Sequence, residues 1–396
     1  MRWLREVAAV LSLSVRTIPQ RFGSSAVAIV GIAGVVVVFV SVLSIAAGFG
    51  AAMQGAGSPR RALVLRSGSD SEMTSGFEGP DADVVKQAPG LARDGQAPLA
   101  SAELYVVIDL PKRSSPDKPA NVPLRGIEPI AMKVRDDVSL VDGRMFEFGT
   151  NEVIVGRGAR GQFISTGIGD TIDSGKNQWR VVGVFEADGG VAETEIWGDV
   201  RTLQGVYQRG NTFQVVLARL ESEDSLRTFS DWLTTNPQLN VMVRRENEYY
   251  AGQSQAMTGL IQSIGFGIGA LMGIGAVFGA ILTMYTAVAT RAREIATLRA
   301  LGFNTAAVLA SVVGESMVLG AIGGLIGGII AYIGFNGYQT STMNFQTFSQ
   351  VAFAFRVTPG LLGTGLGYAL AMGFIGGLFP AVRAARLPIP TALREL

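Results

Sequence analysis

The chain has 396 residues, 33 Lys and Arg against 32 Asp and Glu, a net charge of +1, and neither cysteine nor histidine. Those absences exclude disulfides, thiolate nucleophiles, Cys-based metal centres, Ser-His-Asp hydrolysis and HExxH metal chemistry, while carboxylate, Lys and Tyr chemistry stay open. The charges are sorted: residues 51–255 carry 22 basic and 28 acidic groups, net −6, and the other 191 residues carry 11 and 4, net +7, which excludes a single soluble globular domain.

At the start, Arg2, Arg5, Arg16 and Arg21 are scattered among Trp3, Leu4, Val7, Val10, Leu11 and Leu13. Residues 1–23 are therefore expected to form an amphipathic leader helix on the inner leaflet. Residues 22–59 carry no charge, and their apolar core, 26–47, predicts a first transmembrane helix over 24–50. A basic leader before it and small residues after it also fit a cleaved signal peptide. The apolar stretch exceeds the roughly 7–15 residues of a signal h-region, however, so a retained anchor is expected.

Residues 51–255 change texture, with short β-rich runs between Gly, Pro and Asp clusters. Strands are expected over 62–66, 104–109, 152–155, 179–185 and 213–220, and short helices over 81–87 and 225–234. The whole reads as an α+β domain with two lobes. DTIDSGKNQWRVVGVF reads as a hairpin around Ser-Gly-Lys-Asn; it is not a phosphate loop, because Asn177 stands where GxxxxGK[ST] needs Ser or Thr. Asp136-Asp137 and the acidic run 221–224 lack EF-hand spacing and read as solvated surface.

A second charge-free run, 249–290, would extend about 60 Å as a helix and keeps Gln253, Ser254, Gln255 and Gln262 in its first part. Residues 256–290 are expected to span the membrane, with a stalk projecting into the outer domain. Residues 291–304 predict a short cytoplasmic helix. Ile295, Leu298 and Leu301 recur every third residue as its apolar face, Arg291, Arg293, Glu294 and Arg299 supply charge, Gly302 ends it, and Asn304 or Thr305 caps the next span.

The third span, 305–335, is interrupted only by Glu315, an intramembrane carboxylate and hence a candidate functional or helix-bonding group. A short outer loop, 336–356, a fourth span, 357–382, and a tail, 383–396, complete the chain. Glycines recur at four-residue intervals, Gly265, Gly269 and Gly273, then Gly320, Gly324 and Gly328, then Gly373 and Gly377. Such small-residue stripes let helices pack closely, within one subunit or between two.

Arginines set the orientation. They cluster in the leader, at Arg291, Arg293 and Arg299, and at Arg383, Arg386 and Arg394, whereas the third link holds only Arg356. The positive-inside rule puts both termini and the 291–304 link in the cytoplasm and the acidic domain outside.

RAREIATLRALG, with Arg291, Glu294, Ile295, Leu298, Arg299, Ala300, Leu301 and Gly302, followed by Glu315 and the glycines 320–328, resembles the FtsX/MacB-like permeases of ABC transporters. The tail PAVRAARLPIPTALREL is similar to the family's ending at Pro380, Arg383, Ala384, Pro388 or Pro390, Ala392, Leu393 and Arg394. APGL at 88–91, RGIEP at 125–129, VDGRMF at 141–146, NEVIVG at 151–156, GDTI at 169–172 and WRVVGVFEADG at 179–189 resemble the MacB-like periplasmic core domain.

The resemblance implies a membrane protein with a four-transmembrane-helix bundle and a large α+β domain inserted between helices 1 and 2, in a bacterial inner membrane. It implies that Arg291, Arg293, Glu294, Ile295, Leu298, Arg299, Leu301, Gly302, Pro388, Leu393 and Arg394 couple to a cytoplasmic ABC ATPase present in two copies. A second permease copy or paralogue completes a dimer, and a periplasmic adaptor and outer-membrane duct are candidate partners; nucleic acid is not. The chain is not expected to be an enzyme or to hold a cofactor or metal itself. ATP and Mg²⁺ would be bound by the partner, a separate chain because only a short leader precedes the first span.

The expected function is mechanotransmission, in which ATP hydrolysis drives periplasmic movements that export or extract an amphipathic lipid, lipoprotein, peptide or drug. The alternative is an FtsX-type signalling subunit that activates a cell-wall hydrolase without transport. A membrane-anchored enzyme is disfavoured by the missing His and Cys.

Overall fold

Where the chain carries no charge, its amides have no partner in lipid except each other, and helices result. The computed structural model describes residues 22–174, 177–301, 304–344, 347 and 349–386, so the expected leader helix lies outside the described residues, apart from its last two positions. Four long helices and one short one build the membrane side: α1 (Phe22–Gln54), α2 (Glu246–Thr290), α3 (Ala292–Ala300), α4 (Thr305–Phe335) and α5 (Pro359–Ala385). All but α3 are long and apolar enough to cross a membrane. Asn304 caps α4 by accepting from the Ala306 amide at 3.1 Å, and Thr358 caps α5 by accepting from Leu361 at 3.3 Å, just before Pro359.

The chain divides into a helical unit, residues 1–47, 259–338 and 355–396, and a sheet unit, residues 48–258 and 339–354. In the helical unit, α1, α4 and α5 share a core of Ile32, Val36, Val40, Ala331 and Ala369. A second cluster joins Met284, Val288, Ile295, Val308, Val312 and Ala384. Small residues carry the contacts between these helices. A Cβ on Gly324 would stand 2.7 Å from the Cβ of Ala369, one on Gly373 2.7 Å from the Ser316 carbonyl oxygen, and one on Gly269 2.7 Å from the Phe39 ring. The Ser316 hydroxyl donates to the Gly373 carbonyl at 2.7 Å. Gly327, outside the stripes read from the sequence, packs equally tightly against the backbone of Ala33 in α1.

The sheet unit is built on ten strands: β1 (Arg61–Arg66), β2 (Ala100–Lys112), β3 (Ser115–Ile127), β4 (Ser139–Gly143), β5 (Glu152–Gly156), β6 (Thr171–Ser174), β7 (Asn177–Glu186), β8 (Ile196–Asp199), β9 (Val215–Arg219) and β10 (Val241–Arg245). Their order is β10-β1-β9-β2-β3-β8-β5-β7-β4, with β6 on β7. β2 joins the halves: residues 100–103 pair with β9, and from Leu104 onward the strand pairs with β3. Most pairs are antiparallel, but β8 runs parallel to β3 and β5 parallel to β7. The main core runs across both halves, from Val64 and Val216 through Leu104 and Leu124 to Val155 and Trp179. The helix Ser225–Thr235 adds Phe229 and Leu233 to it.

Several elements were not expected: β3, β4, β8 and β10 in the main sheet, and a hairpin in the link between α4 and α5. β3 contains Pro116, Pro119 and Pro123, which argue against a strand in sequence. Its partner on the far side, β8, pairs only with residues 124–127, so all three prolines fall outside that pairing. Residues 336–356, read as a loop, contain instead a hairpin of β11 (Gln339–Asn344) and β12 (Ser349–Ala354) that belongs to the sheet unit. Lys112 donates to Gln350 at 2.9 Å, Asn344 to Gln253 at 3.0 Å, and Phe353 meets the Phe49 ring edge-on at 5.7 Å.

Gly324→Leu is expected to destabilise the helical unit by about 1–3 kcal/mol through overpacking against α5. Gly267→Ala, whose Cβ would enter open space, should stay within about 0.5 kcal/mol. Thermal unfolding of the detergent-solubilised chain measures both.

Candidate functional site

α2 stops at Thr290, Arg291 leaves helical geometry (φ −108°, ψ 8°), and the chain re-enters a helix at Ala292. The nine residues of α3 then divide into two arcs. Ile295 and Ala296 are buried, and Ile295 joins the cluster of Met284, Val288, Val308 and Val312. Arg293, Glu294, Thr297 and Ala300 are exposed, as is Leu301 just beyond the helix at 73%. The apolar face expected from Ile295, Leu298 and Leu301 is therefore split. Each three-residue step falls short of a helical turn by about 60°, so Ile295 and Leu301 diverge by about 120°.

Arg291 is the hinge-point side chain. Its Nε donates to Glu294 Oε2 at 3.0 Å, and its Nη1 to Glu315 Oε2 at 3.0 Å. Glu315, 5% exposed, is thus ion-paired to the start of α3.

At the opposite end of α2, in the sheet unit, lies a second set of charges. Arg125 on β3 reaches Glu72 at 2.8 and 3.1 Å, Glu195 at 2.7 and 2.8 Å, and Glu103 on β2 at 3.0 Å. Arg135 holds both Glu103 oxygens, at 2.5 and 2.7 Å, and lies over the Trp197 ring. Trp197 donates to Glu195 at 2.7 Å, and the Glu72 amide donates to the Tyr249 hydroxyl of α2 at 3.0 Å.

Beside this group, buried Arg61 donates from Nε to Glu246 on the first turn of α2, at 2.5 Å, and from its two terminal nitrogens to both oxygens of Asp137, at 2.5 and 2.8 Å. Asp137 is accordingly a partner of a buried guanidinium and not the freely solvated carboxylate its sequence neighbourhood indicates. Arg61, Arg125, Arg135, Asp137, Glu195 and Glu246 line a cavity of about 20 Å³, room for one water.

The first cluster sets three carboxylates, Glu72, Glu103 and Glu195, against two guanidiniums. Burial opposes ionisation at Glu103, but Arg135 and Arg125 override it and hold the carboxyl below its usual range. At Glu72 burial prevails: Arg125 is shared with Glu103 and Glu195, and the carboxyl is pushed up. Arg61 likewise outweighs burial at Asp137 and lowers it.

Comparison with protein families matches residues 266–389 to the FtsX-like permease C-terminal family. Residues 25–236, more than half of the chain, match the MacB-like periplasmic core domain. The chain belongs to the FtsX/MacB family of ABC-transporter permeases. Two solved structures are similar in part. The extracellular domain of the noncanonic ABC-type transporter YknZ from Gram-positive bacteria is 17% identical, with 47% of this chain and 100% of that one covered and a TM-score of 0.36. The periplasmic region of MacB from Actinobacillus actinomycetemcomitans is 14% identical, with 50% and 92% covered and a TM-score of 0.37. No curated protein matched the sequence.

Membership makes the chain a multi-pass membrane protein with a periplasmic-type extracellular domain, in a family whose transmembrane subunit is typically non-catalytic. It also implies a partner ATPase. Of the residues expected to couple to that ATPase, Gly302, Pro388, Leu393 and Arg394 lie outside the described residues. Arg291, Arg293, Glu294, Ile295, Leu298, Arg299 and Leu301 fall on or beside α3, with Ile295 turned into the bundle. The FtsX/MacB permease also contains a charge cluster that sequence reading missed. Arg125 lies within the RGIEP motif, but Glu72, Glu103, Arg135 and Glu195 are spread over more than a hundred residues with no shared spacing.

Glu103→Gln should cost about 3–5 kcal/mol, because Arg135 is left buried and uncompensated. Glu72→Gln should stay within about 1 kcal/mol, because it removes the surplus charge. The two also differ in pH dependence. Since the folded carboxyl of Glu103 sits low, its contribution is full above the ordinary carboxylate range and is lost as pH falls through the lowered value. Since Glu72 sits high, its contribution is present below that range and is lost as pH rises through the raised value. Denaturant unfolding of the two variants and the parent between pH 3 and 7 checks both signs.

Proposed function

We propose that this permease works by mechanotransmission, carrying movement from a separate ATPase to the extracytoplasmic domain so that an amphipathic substrate is exported or extracted. The observation that carries this reading is the continuity of α2. It runs unbroken for 45 residues, about 65 Å. Its first turns are bonded into the sheet unit through Glu246 and Tyr249, and its last residue adjoins Arg291 and α3. A helix without an internal break transmits displacement along its axis better than a jointed one does.

In this reading both termini and α3 face the cytoplasm, in keeping with the clustered arginines. Two ATPase copies, binding ATP and Mg²⁺ themselves, act on a permease dimer. The substrate is an amphipathic lipid, lipoprotein, peptide or drug taken from the outer side, which close helix packing at glycines supports over conduction from the cytoplasm. α3 meets the ATPase through its outward arc.

Arg293→Ala and Glu294→Ala should each weaken co-purification with the ATPase by about 5–30-fold, the equivalent of about 1–2 kcal/mol for an interface hot spot. Ile295→Ala should instead lower the permease's own stability by about 2–4 kcal/mol. If both outward-arc variants retain full ATPase binding and stimulation, α3 is not the docking element.

A further inference from the structure

We propose that Glu315 is a positioning residue for α3: through its bond to Arg291 it sets the rotation of the short helix about its own axis and so decides which residues the ATPase meets. The proposal rests on α3 being the docking element.

With nine residues, α3 is below the roughly 12–15 at which an isolated helix persists in water, so its order must come from tertiary contacts. Two kinds stand out among the described residues. Ile295 and Ala296 bury apolar surface, which holds the helix against the bundle but is non-directional and tolerates some rolling. The Arg291 to Glu315 bond is charge-assisted and directional. It acts at the residue that separates α2 from α3, so it fixes where the new helix begins and which way it faces.

Glu315 is suited to this by its surroundings. It lies about 15 Å along α4 from that helix's first residue, with its side chain 7% exposed. An ionised carboxylate at such a depth is expensive unless paired, so the pair favours one arrangement strongly over its alternatives. Glu294, the second partner of Arg291, has a side chain 61% exposed and can exchange its bond for water. Glu315 is therefore the anchor and Glu294 the adjustable partner. With that end fixed, Ile295 and Ala296 face inward, and Arg293, Thr297, Ala300 and Leu301 face outward.

The test is hydrogen exchange on the full chain in lipid nanodiscs without the ATPase, read on amides 294–301. Glu315→Gln should speed exchange there by tenfold or more, with α4 and the sheet unit unchanged, and Glu315→Asp, which keeps the charge within reach of the long Arg291 side chain, should restore most of the protection. Arg291→Gln should reproduce the loss should Glu315→Gln fold poorly. Unchanged exchange over 294–301 in both Gln variants overturns the proposal, as does a loss that Glu315→Asp fails to restore. Failure of the docking reading looks different: Arg293→Ala and Glu294→Ala would leave ATPase binding intact while Glu315→Gln still loosens α3.

Discussion

A lipid interior offers no hydrogen-bond partner and no preference for one apolar surface over another, and this permease is organised around that constraint. Backbone amides are satisfied within helices. Close packing must come from shape, which is why glycines stand on one side of the contacts between α4 and α5 and between α1 and α2 or α4. Larger apolar residues such as Leu271, Phe278 and Ile333 are left on exposed surfaces of the helical unit. The same constraint makes Glu315 informative, since a carboxylate persists in such a helix only when partnered, and Arg291 is ion-paired to it.

In the sheet unit, water is available and the controlling interaction is different. Arg125 gathers carboxylates from three separate stretches of chain, and Tyr249 of α2 closes on the backbone of one of them. Buried ion pairs add little net stability compared with well-packed apolar groups, because desolvation offsets their attraction. Their geometric demands are severe, however. A joint built from bidentate guanidinium bonds has one arrangement, which suits the place where Glu246 and Tyr249 are bonded into the sheet unit.

The spans were legible because a charge-free run longer than a bilayer is thick rarely folds in water, and the α+β texture because short β-rich runs between turn residues cannot extend into long helices. β3 was hidden by its prolines, whose penalty depends on whether the strand edge is paired. The hairpin 339–354 was hidden because a 21-residue link between two spans is short enough to be a plain loop. The inward turn of Ile295 was hidden because a three-residue repeat over nine residues drifts around the helix, leaving the choice of face to whatever the helix packs against. Asp137 looked like solvated surface because its partner, Arg61, is 76 positions away.

By itself the sequence determined the properties that depend on local composition: which segments enter the membrane, which segment is acidic and mixed α+β, where glycines allow close approach, and the motif around Arg291 to Gly302 that marks the family. These are decided by the solvent each segment meets and by spacings of a few residues. Only the tertiary structure decided which charges meet, that β2 serves both halves of one sheet, that the link between α4 and α5 folds with the sheet unit, and which arc of α3 turns outward. The physical reason is common to all four. A hydrogen bond or ion pair depends on positions brought within about 3 Å, and residues far apart in sequence are brought to that distance by the fold alone.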